Sequence, residues 1–174
     1  RRSAPFDVEP GFYEPADLWM YGNARLLNGR LEWILASFGP GPHSPAELEA
    51  IDRESERIVL AGATLVCGVH NPAHQRAAIV PLRWGAPRIL VLSGGFLHHL
   101  GENLKEEPFR AARLWRYQWD PHTDLAISRR APAKKPTFAN HNPTVDRLIV
   151  RVASRKVAGL LFQLGRNPEE LNEF

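Results

Sequence analysis

The sequence holds a single cysteine, Cys67, in 174 residues. That excludes a disulfide framework and a multi-cysteine zinc site, and it suits a reducing compartment. No apolar stretch approaches the ~18 residues of a membrane span, and none has the form of a signal-peptide core. A cytoplasmic protein without a membrane partner is the expectation. Neither G-x-G-x-x-G nor G-x-x-x-x-G-K-[ST] occurs, so ordinary dinucleotide or nucleoside-triphosphate binding lacks its phosphate loop. Ser37 and Ser93 stand in turns but not in G-x-S-x-G, which leaves no nucleophile elbow. His70 and His74 are four apart and His98-His99 lie past the next strand, yet no carboxylate or cysteine stands at a recognised ligand spacing. No metal and no other cofactor is therefore expected. His74, beside Ala73, Ala77 and Ala78, reads as a packing or hydrogen-bonding residue. Glu102, Glu106 and Glu107 are candidates for acid–base work, but their spacing gives it no support.

What is present is an order of elements. The run 62–96 reads as strand, glycine turn, helix, glycine stop, strand and glycine turn. TLVCGV and RILVLS are short apolar runs rich in β-branched residues, each closed by glycine. Asn71-Pro72 supplies an N-cap and a first-turn proline, and Gly85 supplies the stop. That is one β-α-β unit with a right-handed crossover. Before it, 31–37 (LEWILAS) reads as a strand and Ser44-Pro45-Ala46-Glu47 as a capping box. A helix follows with Leu48, Ile51, Ser55, Ile58 and Val59 on one face. The fold class is α/β, a Rossmann-like three-layer domain with a mostly parallel sheet.

Residues 1–30 read as a lead-in packing on the domain, with one apolar cluster at Leu18-Trp19-Met20-Tyr21. The domain spans 31–165, and 166–174 is a tail. Later segments read as a helix over 107–119, a strand over 124–128, a helix capped by Asn142-Pro143-Thr144 and a last strand over 159–164. Trp115, Tyr117 and Trp119 beside Arg113 and Arg116 form one set to test for base stacking.

The net charge is only +3, but its sign is uneven. Acidic residues crowd 47–56, whereas 110–156 is strongly basic. The asymmetry is compatible with a polyanion partner and with a solvated basic face. Sheets of this kind bind ligands beyond the carboxyl ends of their strands. The expected site therefore gathers Ser37, Gly39, Gly68, His70, Asn71, Ser93, Gly94, Gly95, His141 and Asn142, with backbone N–H groups and helix N-termini facing an anion. Arg129, Arg130, Lys134 and Lys135 supply side-chain charge. Arg147, Arg151 and Arg155 recur at every fourth residue as a basic ridge.

Several segments resemble the Rossmann-like domain of the DprA/Smf DNA-processing family. Pro15-Ala16-Asp17-Leu18-Trp19-Met20-Tyr21-Gly22-Asn23, with Leu26-Leu27, is similar to the family's lead-in, and Ile34-Leu35-Ala36-Ser37-Phe38 stands where it has a strand ending in G-S-R. Gly62 to Gly68, then Ala73-His74, is similar to its S-G-x-A-x-G-I-D…A-H signature. The segment 89–96 with Asn103-Leu104 is similar to V-L-G-x-G-L…N-x-x-L, and Ile127-Ser128 with Pro132 to L-S-E-x-P. Phe138-Ala139-Asn140-His141-Asn142-Pro143-Thr144-Val145 keeps the spacing of F-x-x-R-N-R-x-I. Phe38, His141 and Pro143 replace the family's arginines. The resemblance implies a cytoplasmic, non-catalytic homodimer that binds single-stranded DNA in DNA recombination and loads a RecA-type recombinase. Two other readings stand beside it: a nucleotide-like small-molecule binder or enzyme of a related Rossmann-like or YdcF-type family, and a degenerate interaction scaffold.

Overall fold

Three central strands send alternate side chains to opposite faces, and that alternation sets the layers. The computed structural model describes residues 6–136 and 141–155. In β4 (Thr64–Cys67), Leu65 and Cys67 enter one core and Val66 the other. In β5 (Arg88–Leu92), Leu90 and Leu92 enter the first core, Ile89 and Val91 the second. β6 (Leu125–Ser128) repeats this with Ala126 against Leu125 and Ile127. Both faces are covered, so these strands read as near-continuous apolar runs.

The first core is closed by α1 (Pro45–Leu60) and α2 (Pro72–Arg83), through Ile51, Ile58, Ala73, Ala77 and Ala78. The second is closed by α4 (Pro143–Ala153), through Val145, Leu148, Ile149 and Val152. The capping box of α1 forms as expected, with Glu47 N–H donating to Ser44 Oγ at 3.1 Å and Ser44 N–H to Glu47 Oε1 at 3.0 Å. α3 is a short helix, Phe96–Leu100, directly after β5.

The sheet has six strands in the order β1-β2-β6-β5-β4-β3, where β1 is Gly11–Tyr13, β2 is Leu18–Gly22 and β3 is Leu31–Glu32. β3, β4, β5 and β6 run parallel, whereas β2 pairs antiparallel with β6 and β1 with β2. The α/β, mostly parallel, three-layer expectation holds. The cluster Leu18-Trp19-Met20-Tyr21 is thus a strand of the sheet, with Met20 opposite Ile127.

Two elements differ from the sequence expectation. The strand over 31–37 stops after Glu32, and Leu35–Ser37 is a 3-10 turn. Ser37 closes that turn, its N–H and Oγ both donating to Ile34 O at 3.1 and 2.7 Å. The helix over 107–119 is instead a 3-10 turn, Arg110–Leu114, within a closed loop. Glu106 bridges Gln118, and Trp119 N–H donates to Lys105 O at 2.7 Å, so the ends of the segment meet. The expected strand over 159–164, the tail 166–174 and Phe138-Ala139-Asn140 lie outside the described residues.

The loop encloses a buried ion network at the amino ends of β5 and β6. Arg88 is fully buried; its Nε donates to Asp124 Oδ2 at 2.9 Å and its Nη1 to Ala78 O at 2.7 Å. Its Nη2 binds Glu107 Oε1, also fully buried. Arg116 closes the network from the surface, with Nη2 on Glu107 Oε2 at 2.8 Å and on Asp124 Oδ2. Burial alone would lower the Arg88 pKa; Asp124 and Glu107 outweigh it and hold it above the ordinary value.

Candidate functional site

At the opposite, carboxyl edge of the sheet a cleft of about 180 Å³ opens between the ends of β5 and β6 and the first turn of α4. Leu92, Ser93, Arg129, Arg130, Asn142, Thr144, Val145 and Leu148 line it. Asn142 caps α4, its Oδ1 accepting from Val145 N–H at 3.2 Å, and Pro143 follows in the first turn. Of the expected site residues, Ser93, Arg129, Arg130 and Asn142 therefore share one cavity. Ser37 is buried, and Gly39 stands in the turn beyond it at φ +92°; neither lines the cleft. Asn71 caps α2, with Oδ1 accepting from His74 N–H at 2.8 Å.

The glycine turns do not offer free donors to an anion. Gly94 N–H donates to His99 Nε2 at 3.1 Å, Gly95 N–H to Lys134 O at 2.7 Å and Leu97 N–H to Pro132 O at 3.0 Å. A Cβ on Gly95 would stand 2.1 Å from Pro132 O, and one on Gly94 2.6 Å from Pro136 N. These glycines admit the chain's own loop, 131–136, into the space that a phosphate was expected to fill. Gly68 N–H is taken as well, by His74 Nδ1 at 3.1 Å. Lys134 contributes a carbonyl to the loop contact, and Lys135 O accepts from Arg130 Nη1 at 2.5 Å; both lysines are exposed. Burial, and then the neighbouring His98, push the His99 imidazole down to about 4, so its Nε2 stays an acceptor at neutral pH. Burial likewise pushes the Cys67 thiol up to about 12, which agrees with an inert thiol.

Asp146, in the first turn of α4, is the residue that the sequence did not single out. Its Oδ1 lies 3.1 Å from His70 Nε2 and 3.0 Å from His74 Nε2. A carboxylate accepts, so both Nε2 atoms carry hydrogen. Burial would raise the Asp146 carboxyl; the two imidazole hydrogen bonds outweigh it and hold it well below the ordinary carboxylate range. His74 is fully buried, and burial foremost holds its pKa below the usual imidazole value.

Two histidines and a carboxylate this close have the makings of a metal site. The tautomer argues otherwise. His74 Nδ1 uses its lone pair on Gly68 N–H, and His74 Nε2 uses its hydrogen on Asp146, so neither nitrogen is left for a metal. The cluster instead fastens α4 to the β4–α2 turn.

That fastening depends on pH. His74 has a lower pKa folded than unfolded, so the unfolded chain takes up more protons as pH falls through the usual imidazole range. Stability that is fully present above that range is then lost until the folded pKa is passed. Asp146 adds a second loss in stronger acid, below the ordinary carboxylate range. The thermal midpoint of the wild type is expected to fall between about pH 7 and about pH 5. His74→Asn, whose Oδ1 can still accept from Gly68, removes that component; an equal fall in the variant excludes His74 as its source.

Cations supply the remaining feature. Between 129 and 155 the chain carries Arg129, Arg130, Lys134, Lys135, Arg147, Arg151 and Arg155 against Asp146 alone. None of these cations forms an ion pair with a carboxylate among the described residues, whereas Arg57, Arg76, Arg88 and Arg116 all do. Arg147 and Arg151 are exposed on α4, three residues on from the cleft-lining Thr144 and Leu148. Arg155 leaves the ridge: it follows the helix at φ +58° and its Nη2 binds Gly29 O. His141 is exposed just before the cap. The stacking set is broken up, because Trp119 is buried, Arg116 is held in the ion network and Arg113 pairs with Glu106. Trp115 instead carries Arg83 over its ring at 5.3 Å.

No family model matches the chain, and no curated protein matches it. Among solved structures, the chain is similar to DNA processing protein A from Helicobacter pylori, described for its unique single-stranded DNA binding mode. The TM-score is 0.54 at 14% identity, over 78% of this chain and 56% of that one. Identity this low establishes a shared fold and nothing finer.

Proposed function

We propose that the chain binds single-stranded DNA across the cleft between β5, β6 and α4, without catalysing a reaction. The observation that carries this reading is a set of cations without acidic partners among the described residues, Arg129 and Arg130 on the cleft and Arg147 and Arg151 beside it, while the Asp146 carboxylate is turned inward. Cations without acidic partners attract counterions, which a polyphosphate backbone displaces on binding. The shared fold with a protein that binds single-stranded DNA supports the reading. The contacts differ from those the family resemblance implies, since Phe38, His141 and Pro143 stand at its arginine positions and Arg129 and Arg130 bring the charge from β6. The resemblance extends the proposal to a homodimer that delivers single-stranded DNA to a RecA-type recombinase, to be checked by sedimentation and a strand-exchange assay. Among the described residues, no helix is long and apolar enough to cross a membrane.

Fluorescence anisotropy with a labelled oligodeoxynucleotide tests the binding itself. The log–log plot of affinity against salt is expected to fall with a slope of about −2 to −4, at roughly 0.7 per phosphate contact on a single strand. Undetectable binding at low salt, or binding indifferent to salt, ends the proposal. A mononucleotide bound as tightly as the oligomer would favour a small nucleotide-like ligand in the cleft instead.

A further inference from the structure

The β4–α2 turn holds a buried ring nitrogen that no described residue engages. His70 Nδ1 is buried and has no hydrogen-bond partner among the described residues, and only 4% of the His70 side chain is exposed. Its other nitrogen, Nε2, carries the hydrogen that faces Asp146 Oδ1 at 3.1 Å. Nδ1 therefore keeps a lone pair that no described residue uses, and taking up a proton there breaks no hydrogen bond among them. His74 is different: a proton on its Nδ1 would expel Gly68 N–H. The two rings stand 4.3 Å apart and share one carboxylate oxygen, so only one of them has a free place for a second proton.

The charged and titratable groups around the pair are few. α4 contributes Asp146, with Arg147 exposed next to it. α2 contributes His74, and the segment before α1 contributes His43, which acts on His74 through space. β4 ends in the Gly68 N–H, and the Phe38 ring lies 5.6 Å from His74. Arg129 and Arg130 line the cleft from the end of β6, and His141 is exposed before the α4 cap.

Asp146 is buried in the first turn of an eleven-residue helix, where the peptide dipoles favour negative charge. With both imidazoles neutral, its carboxylate is a net negative charge one residue from Val145 and two from Thr144, on the wall of the cleft. It opposes a phosphate there. With His70 protonated the pair is neutral, and the helix end, Arg129 and Arg130 act on the ligand unopposed. Resting on the nucleic-acid reading of the cleft, we infer that the His70–Asp146 pair couples polyanion binding to uptake of a proton at His70 Nδ1. A ligand that prefers the protonated form must, reciprocally, raise the affinity of that form for its proton.

The experiment measures affinity for one oligodeoxynucleotide at constant ionic strength between about pH 5.5 and about pH 8, where imidazoles titrate and phosphodiesters do not. Wild type, His70→Gln and His141→Gln are compared as the full chain, and the imidazole C–H signals are followed by NMR with and without the oligonucleotide. Wild type and His141→Gln are expected to bind about 3- to 10-fold more tightly at the acid end, as uptake of up to one proton allows. His70→Gln, whose amide still donates to Asp146 but takes no proton, is expected to be flat. The His70 signal should titrate at higher pH when the oligonucleotide is bound. Parallel pH slopes in wild type and His70→Gln, loss of the slope in His141→Gln instead, or a His70 titration unmoved by saturating oligonucleotide each overturn the coupling while leaving the cleft as a binding site. If His70→Gln does not fold, the wild-type NMR shift decides alone. Absence of binding at every pH overturns the reading of the cleft and the coupling with it.

Discussion

Replacing Arg88 with methionine is expected to cost about 3–5 kcal/mol of folding free energy, read by urea denaturation. The loss does not come from one missing side chain. Asp124 and Glu107 are fully buried; without the Arg88 guanidinium, Glu107 keeps its ion pair with the half-open Arg116, and Asp124 keeps Arg116 and the backbone N–H of residue 88. A carboxylate left in a low-dielectric interior costs more than the ion pair contributed. Two comparisons separate this cause from simple loss of packing. Arg116→Met, which leaves the buried Arg88 pairs in place, should cost less. Glu107→Gln in the Arg88→Met background should recover part of the stability, because it removes one stranded charge. A loss under about 1 kcal/mol for Arg88→Met, or a Glu107→Gln change that only adds to the damage, would mean the network is not holding the structure as drawn. The network also bears on the site at a distance. It ties the start of β5 to the start of β6 and to α2, and the far ends of those same strands carry the cleft.

The parts of this architecture that were readable in the sequence are those written by local chemistry. Asn71-Pro72 and Ser44-Pro45 mark the starts of α2 and α1, because a side-chain cap and a fixed proline φ act within one turn. β4, β5 and β6 are readable as apolar runs because layers on both sides demand it. β1 and β2 are not, since β2 is a strand by virtue of pairing with β6, far along the chain, and β1 only by pairing with β2. The 107–119 segment has apolar residues at helical spacing, but Glu107 is needed inside as a counterion, and that tertiary demand overrides the local preference.

The site divides in the same way. Ser93, Arg129 and Asn142 follow strand ends or caps, so their meeting at one edge is implied by the topology alone. Asp146 and His70 are linked across 76 residues, and nothing local marks the pair. The fate of the glycine turn was also invisible. Gly94 and Gly95 permit a close approach, but only the fold shows that the guest is the loop 131–136.

Charge reversal at Arg129 and Arg130 is expected to weaken oligonucleotide binding about 100-fold at low salt and to flatten the salt slope by about 1 to 2. The argument turns on position and not on total charge. Arg53 and Arg110 are also exposed and free of ion pairs among the described residues, but neither lines the cleft. Arg53→Glu with Arg110→Glu changes the net charge by the same amount as Arg129→Glu with Arg130→Glu. If long-range attraction alone drives binding, both pairs weaken it equally. If phosphates sit at the cleft, the first pair changes little beyond a modest loss of steering. Arg129→Glu by itself keeps the measurement clean, because Arg130 also holds Lys135 O whereas Arg129 has no partner among the described residues. Arg147→Glu with Arg151→Glu then asks where the strand goes next. Those residues stand one step round α4 from Thr144 and Leu148, so a strand leaving the cleft along the helix crosses them. A further loss of about tenfold in that pair places the exit path on α4. No loss there, with the loss at Arg129 and Arg130 intact, sends the strand toward the loop of Lys134 and Lys135 instead.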